Sequence, residues 1–231
     1  MIPRAVEPAF LAAHYVDAEV CPPSGTAHRR TLIYLHGFGS RGPNLLRAGL
    51  ALPWVDGEAS AGLRVVLPTA PRPCQPWGEM KPSWYGYSNK KENSVGDAST
   101  LEASRARLSA LLRAELRRLN GVGHLLLLGG TSQGCGVALD TYMREALELG
   151  LGGFVGCAGW LPHDADGFDG VDKAFARVAR DGRQRKRPLW LLLPTDDTKH
   201  VPWKFARASL RGAQKQLPGL LLRKTCRRGH Q

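Results

Sequence analysis

Acidic residues are scarce in this chain. Asp and Glu number 20 against 32 Lys and Arg, a formal net charge of +12 over 231 residues. Aromatic residues make up only 7%. Cysteines are few (21, 74, 135, 157 and 226), none forms C-x-x-C, and no Cys/His cluster has zinc spacing. An odd, widely spaced set argues against a disulfide framework and fits free thiols in a reducing compartment. No apolar run approaches the ~20 residues of a membrane-spanning helix, and the N-terminus lacks the apolar core of a signal peptide. A soluble cytoplasmic protein is the expectation. Linkers, low-complexity tracts and internal repeats are also missing, so the whole of 1–231 reads as one domain with a sizeable core. Arginine supplies 23 of the 32 basic residues, spread along the chain. Most of that charge reads as solvated helix faces and loops. Weak contact with an anionic membrane surface is the functional alternative. Nucleic acid is not expected as a partner, because the basic residues are not interleaved with aromatics and no nucleic-acid-binding motif is present.

What is present is an alternation of short apolar strands and helix-like stretches. Strands are expected at Thr31–Leu35, Leu63–Leu67, Leu125–Leu128, Gly153–Cys157, Leu189–Leu193 and Leu220–Arg223. A short helix can start at Pro43, and a strong one runs from Asp97 to Asn120 with Asp97 or Ser99 as its cap. Further helices are expected at 137–149, about 171–180 and about 203–216. Residues 69–96, rich in Pro, Trp and Tyr, read as a long ordered excursion. Continuous apolar strands alternating with amphipathic helices imply an α/β fold: a mostly parallel sheet with helices on both faces.

The segment with most chemical content is Gly130-Thr131-Ser132-Gln133-Gly134, directly behind Leu125–Gly129. An apolar strand, then G-x-S-x-G, then a helix is the order a nucleophile elbow requires. Taken alone, the pentapeptide could also be a glycine-rich turn with a capping serine. In a parallel sheet the site lies at the carboxyl ends of the strands. His36-Gly37-Phe38-Gly39 follows the first strand, Asp196-Asp197 follow the fifth, and Gly229-His230 follow the last. Serine, acid, histidine is the triad order of α/β-hydrolases. A serine hydroxyl needs a base during attack. His230 is the candidate base, and Asp197, with Asp196 as the alternative, would orient it. The Gln133 N–H and the Phe38 N–H are the candidate oxyanion donors. His36 precedes the elbow and is not taken as the base.

These pieces, with Pro68-Thr69-Ala70-Pro71, Met80 through Ser83-Trp84-Tyr85, Gly159-Trp160-Leu161-Pro162, Val201-Pro202 and Lys224-Thr225 through Gly229-His230, run in a familiar order. The chain resembles the acyl-protein thioesterase / carboxylesterase family of small α/β-hydrolases over about residues 30 to 230. The resemblance implies hydrolysis of carboxylic esters and thioesters, lysophospholipids and S-acylated proteins among them. It implies Ser132 as nucleophile, Asp197 as orienting acid, His230 as general base then acid, and Phe38 and Gln133 as oxyanion hole, with no metal or organic cofactor. Trp84, Trp160 and Leu161 are candidates for an acyl-chain pocket; ordinary core packing is the other reading. The acid-to-Val-Pro spacing is one residue longer than the family's, and the family's final helix has no counterpart before Gln231. Those two departures favour the competing reading, a catalytically inactive α/β-hydrolase that binds a ligand or partner.

Overall fold

The structure, a computed structural model, describes residues 18–21, 27–47, 62–90, 94–162, 169–194, 206–207, 210 and 216–225. In chain order the elements are β1 (Ala18–Cys21), β2 (Arg30–Leu35), α1 (Asn44–Arg47), β3 (Leu63–Pro68), β4 (Gly86–Tyr87), β5 (Val95–Asp97), α2 (Ala98–Arg118), β6 (Leu126–Thr131), α3 (Gln133–Leu149), β7 (Gly153–Cys157), α4 (Asp169–Arg180), β8 (Leu189–Pro194) and β9 (Leu220–Thr225). Seven strands form one sheet in the order β1-β3-β2-β6-β7-β8-β9. All neighbours pair in parallel except β1, which runs antiparallel along β3 with Ala18 opposite Pro68. β4 and β5 make a separate antiparallel pair inside the 69–96 excursion.

The six expected strands are all present; about half of their ends coincide with the expectation, and the largest difference is β6, which starts one residue later and runs on to Thr131. β1 carries no pattern that distinguishes it from a loop, and no strand is expected there from sequence. α3 begins at Gln133, four residues earlier than the apolar periodicity indicates, because the turn at Ser132 leads straight into it. The helix expected over 203–216 lies mostly outside the described residues. Among the described residues no helix is long and apolar enough to cross a membrane.

The apolar runs are buried on both faces because alternate side chains leave the sheet on opposite sides. Ile33, Leu35, Val66, Leu126 and Leu128 join one cluster with Leu108, Leu111 and Leu112 of α2, Val137 and Met143 of α3, and Phe175 and Val178 of α4. Leu32, Tyr34, Val65 and Leu67 form the other with Leu45 of α1. Asp97 caps α2 by accepting the Ser99 N–H at 2.9 Å, and the Ser99 hydroxyl and N–H hold its carboxyl below the usual carboxylate range.

One polar group is sealed under α2. Glu115 is 2% exposed and accepts from Arg64 Nε at 3.0 Å and from the Thr31 hydroxyl at 3.2 Å. Burial pulls the Arg64 pKa down, and the Glu115 charge opposes that pull. This pair ties the amino ends of β2 and β3 to the helix. Removing one member of a buried pair strands the other. Glu115→Gln is therefore expected to lower the unfolding free energy by about 2 kcal/mol, read from urea denaturation. An unchanged midpoint would show that the ion pair contributes nothing.

Candidate active site

The elbow is a consequence of where β6 must stop. Ser132 has φ 53 and ψ −126, a left-handed backbone that an L-residue adopts only when its surroundings enforce it, at a cost of ~1–3 kcal/mol. The enforcement is visible on both sides. The Ser132 N–H donates to the Cys157 carbonyl on β7 at 2.9 Å, and its own carbonyl accepts from the Gly136 N–H. A Cβ on Gly130 would lie 2.7 Å from the backbone of Gly134, and one on Gly134 would lie 2.3 Å from the His36 carbonyl oxygen. Both glycines of the pentapeptide are thus required by backbone contacts that no side chain could fit. Ser132 itself remains partly exposed at the carboxyl edge of the sheet.

The turn after β2 is brought against this serine. A Cβ on Gly37 would stand 3.1 Å from Ser132 Cβ, so glycine lets the turn close over the hydroxyl-bearing residue. The next residue, Phe38, rests its ring half-buried against Tyr87 and Trp77, at centroid distances of 5.3 and 6.2 Å. Among the described residues neither the Phe38 N–H nor the Gln133 N–H makes a hydrogen bond. Two such donors beside a serine at a helix N-terminus can receive negative charge as it develops on a bound carbonyl.

His36 is fully buried. Its Nε2 accepts from the Ala70 N–H at 2.9 Å, which places the ring proton on Nδ1, donated to the Gly37 carbonyl at 2.7 Å. With both nitrogens engaged the imidazole is a structural group and has no free lone pair for a serine. Cys157, beside the site on β7, does not compete as a nucleophile, because burial pushes its thiol pKa up and only the thiolate attacks. Cys74, Cys135 and Cys157 are free thiols.

Trp84, Trp160 and Leu161 are 1%, 1% and 3% exposed. All three join the large core cluster beside the site. Asp196, Asp197 and His230 lie outside the described residues. The strands leading to them end at the same edge as Ser132: Thr131 pairs with Cys157, Cys157 with Leu192, and Pro194 with Thr225. Sequence reasoning missed the side chain of Gln133. It is fully buried; its Oε1 accepts from the Trp84 N–H at 2.9 Å and its Nε2 donates to the Tyr85 carbonyl at 3.0 Å. A polar side chain inside an otherwise small, glycine-rich turn is the only signal that could have marked it.

A seven-stranded sheet of this order, with a strained serine between its central strand and the following helix, defines an α/β-hydrolase. The comparisons narrow the class. A profile of the phospholipase/carboxylesterase family matches residues 17–170, and the chain belongs to that family. Acyl-protein thioesterase 1 of Yarrowia lipolytica is 32% identical over 146 residues, 61% of this chain and 61% of its own length. Acyl-protein thioesterase 1 homolog 1 of Dictyostelium discoideum is 24% identical over 155 residues, 66% of this chain and 65% of its own length. The chain thus matches less than two thirds of the length of these two relatives. The crystal structure of Zea mays acyl-protein thioesterase 2 superposes with a TM-score of 0.70 at 24% identity, covering 93% of this chain and 91% of that one, and shares the fold.

Proposed function

We propose that the chain is a serine hydrolase that cleaves carboxylic ester or thioester bonds through an acyl-enzyme, of the acyl-protein thioesterase, carboxylesterase or lysophospholipase type. Ser132 Oγ attacks the acyl carbonyl as His230 takes its proton. Asp197, or Asp196 beside it, holds the imidazole and stabilises its charge. The tetrahedral oxyanion is met by the Phe38 and Gln133 N–H groups. Collapse expels the alcohol or thiol, which receives the proton from His230. Water, deprotonated by His230, then attacks the Ser132 ester and releases the carboxylic acid. Every step uses groups of the chain itself, so no metal or organic cofactor enters the scheme. Lipid or small-molecule acyl esters and S-acylated proteins are the substrate classes, at a cytoplasmic location, and the net charge of +12 supports weak attraction to anionic membrane.

The observation that carries this reading is the strained Ser132, seated against Gly37 with the two unbonded N–H groups next to it. Its test is labelling with a fluorophosphonate followed by mass-spectrometric location of the adduct. Modification of Ser132 is expected, with loss of p-nitrophenyl ester hydrolysis in step with labelling. A labelled residue elsewhere, or activity that survives full labelling, refutes the assignment.

A further inference from the structure

We infer, resting on the hydrolase reading above, that Trp84 is a positioning residue of the oxyanion hole: its indole N–H and backbone N–H hold the hole's two halves in one geometry. The two proposed donors come from different elements. Phe38 sits in the turn after β2, and Gln133 opens α3. Nothing in either element alone sets the distance between them. The turn contains Gly37 and Gly39, which impose little backbone preference of their own; the peptide plane that carries the Phe38 N–H is held at its Gly37 carbonyl by the His36 ring.

Trp84 touches both halves. Its Nε1–H donates to the His36 carbonyl at 2.8 Å. That carbonyl belongs to the peptide preceding Gly37, one residue before the plane that carries the Phe38 N–H. Its oxygen also faces Gly134, the second residue of α3, with no room for a Cβ between them. The Trp84 backbone N–H donates to Gln133 Oε1, and the same amide returns a bond to the Tyr85 carbonyl. The indole lies 5.1 Å from the His36 ring, centroid to centroid. The Trp84 carbonyl accepts the Ser104 hydroxyl of α2, which fixes this clamp to the scaffold. At 1% exposure the indole offers no surface to a bound acyl group. Its effect on catalysis therefore passes through His36 and Gln133.

A phenylalanine at 84 would fill most of the space and take the indole N–H away from the buried His36 carbonyl. The His36 peptide and ring would then shift, and the Phe38 N–H would move with the Gly37 carbonyl that the ring holds. An ångström of misplacement at a reacting centre costs up to about 100-fold. Trp84→Phe is expected to reduce kcat/KM for a p-nitrophenyl ester about 10- to 100-fold, and to weaken inhibition by an alkyl trifluoromethyl ketone, whose serine adduct carries an oxyanion, by the same factor. Binding of the corresponding non-electrophilic ketone, measured by competition, stays within about twofold. That split separates positioning from a general loosening, which would weaken both ligands alike. If Trp84→Phe does not fold, β-(3-benzothienyl)-alanine at 84 keeps the ring shape and removes only the N–H, and the same split is expected. A folded variant with wild-type kcat/KM and wild-type trifluoromethyl ketone inhibition overturns the proposal. If instead the wild-type chain shows no esterase activity and no Ser132 labelling, the hydrolase reading falls and takes this inference with it.

Discussion

Ser132→Ala is expected to lower ester turnover by about 10³-fold or more while leaving the fold and the midpoint of urea denaturation almost unchanged. Covalent catalysis ends without the hydroxyl, and what survives in serine hydrolases stripped of their nucleophile is the contribution of the oxyanion donors and of binding. The substitution removes one oxygen from a partly exposed residue and keeps the Cβ that already faces Gly37. The backbone at φ 53 is as strained for alanine as for serine, so the strain does not change. The nearby Cys157 offers no relief, since burial pushes its thiol pKa up. Turnover of p-nitrophenyl butyrate by Ser132→Ala within tenfold of wild type would remove the serine from the mechanism.

Gly134→Ala is expected to fail for a different reason. The added carbon would fall 2.3 Å from the His36 carbonyl oxygen and 2.7 Å from that of Leu35. Both are backbone atoms of the strand-and-turn that α3 crosses, and they cannot swing aside as a flexible side chain would. The helix must back away from β2, which opens gaps around Val137 and Leu139. Forcing extra volume into a close-packed interior costs ~1–3 kcal/mol, and a backbone clash belongs at the upper end, about 3 kcal/mol. The urea midpoint should fall with the slope unchanged. Turnover should fall as well, because the Gln133 N–H moves with the first turn of α3. Gly182→Ala is the matched control: a Cβ there meets nothing within 4 Å. Equal stability of the two variants would contradict the close approach of α3 to β2.

Much of the local structure is legible in the sequence. The cap at Asp97 or Ser99, the strand from Gly153 to Cys157 and the elbow at Ser132 are local patterns, set by residues that are neighbours or one helical turn apart. The site was less legible. From its place in the chain His36 is not taken as the base, and its use of both ring nitrogens depends on Ala70, 34 residues away. For Trp84 the sequence leaves open an acyl-pocket position or ordinary core packing. The structure buries it and turns its indole N–H onto His36, 48 residues back. The edge strand Ala18–Cys21 was invisible because pairing with β3, and not its own residues, makes it a strand.

The six parallel strands in their order along the chain, the serine at the turn, and a helix after it are legible in the sequence alone. Hydrophobic periodicity, capping and glycine sterics act within a few residues, and a single chain displays them in full. The meeting of the His36 turn with the first residue of α3, and the tryptophan that joins them, were decided only by tertiary structure. Those contacts link residues dozens of positions apart, and a buried donor finds its acceptor only after the sheet has brought both to the same edge.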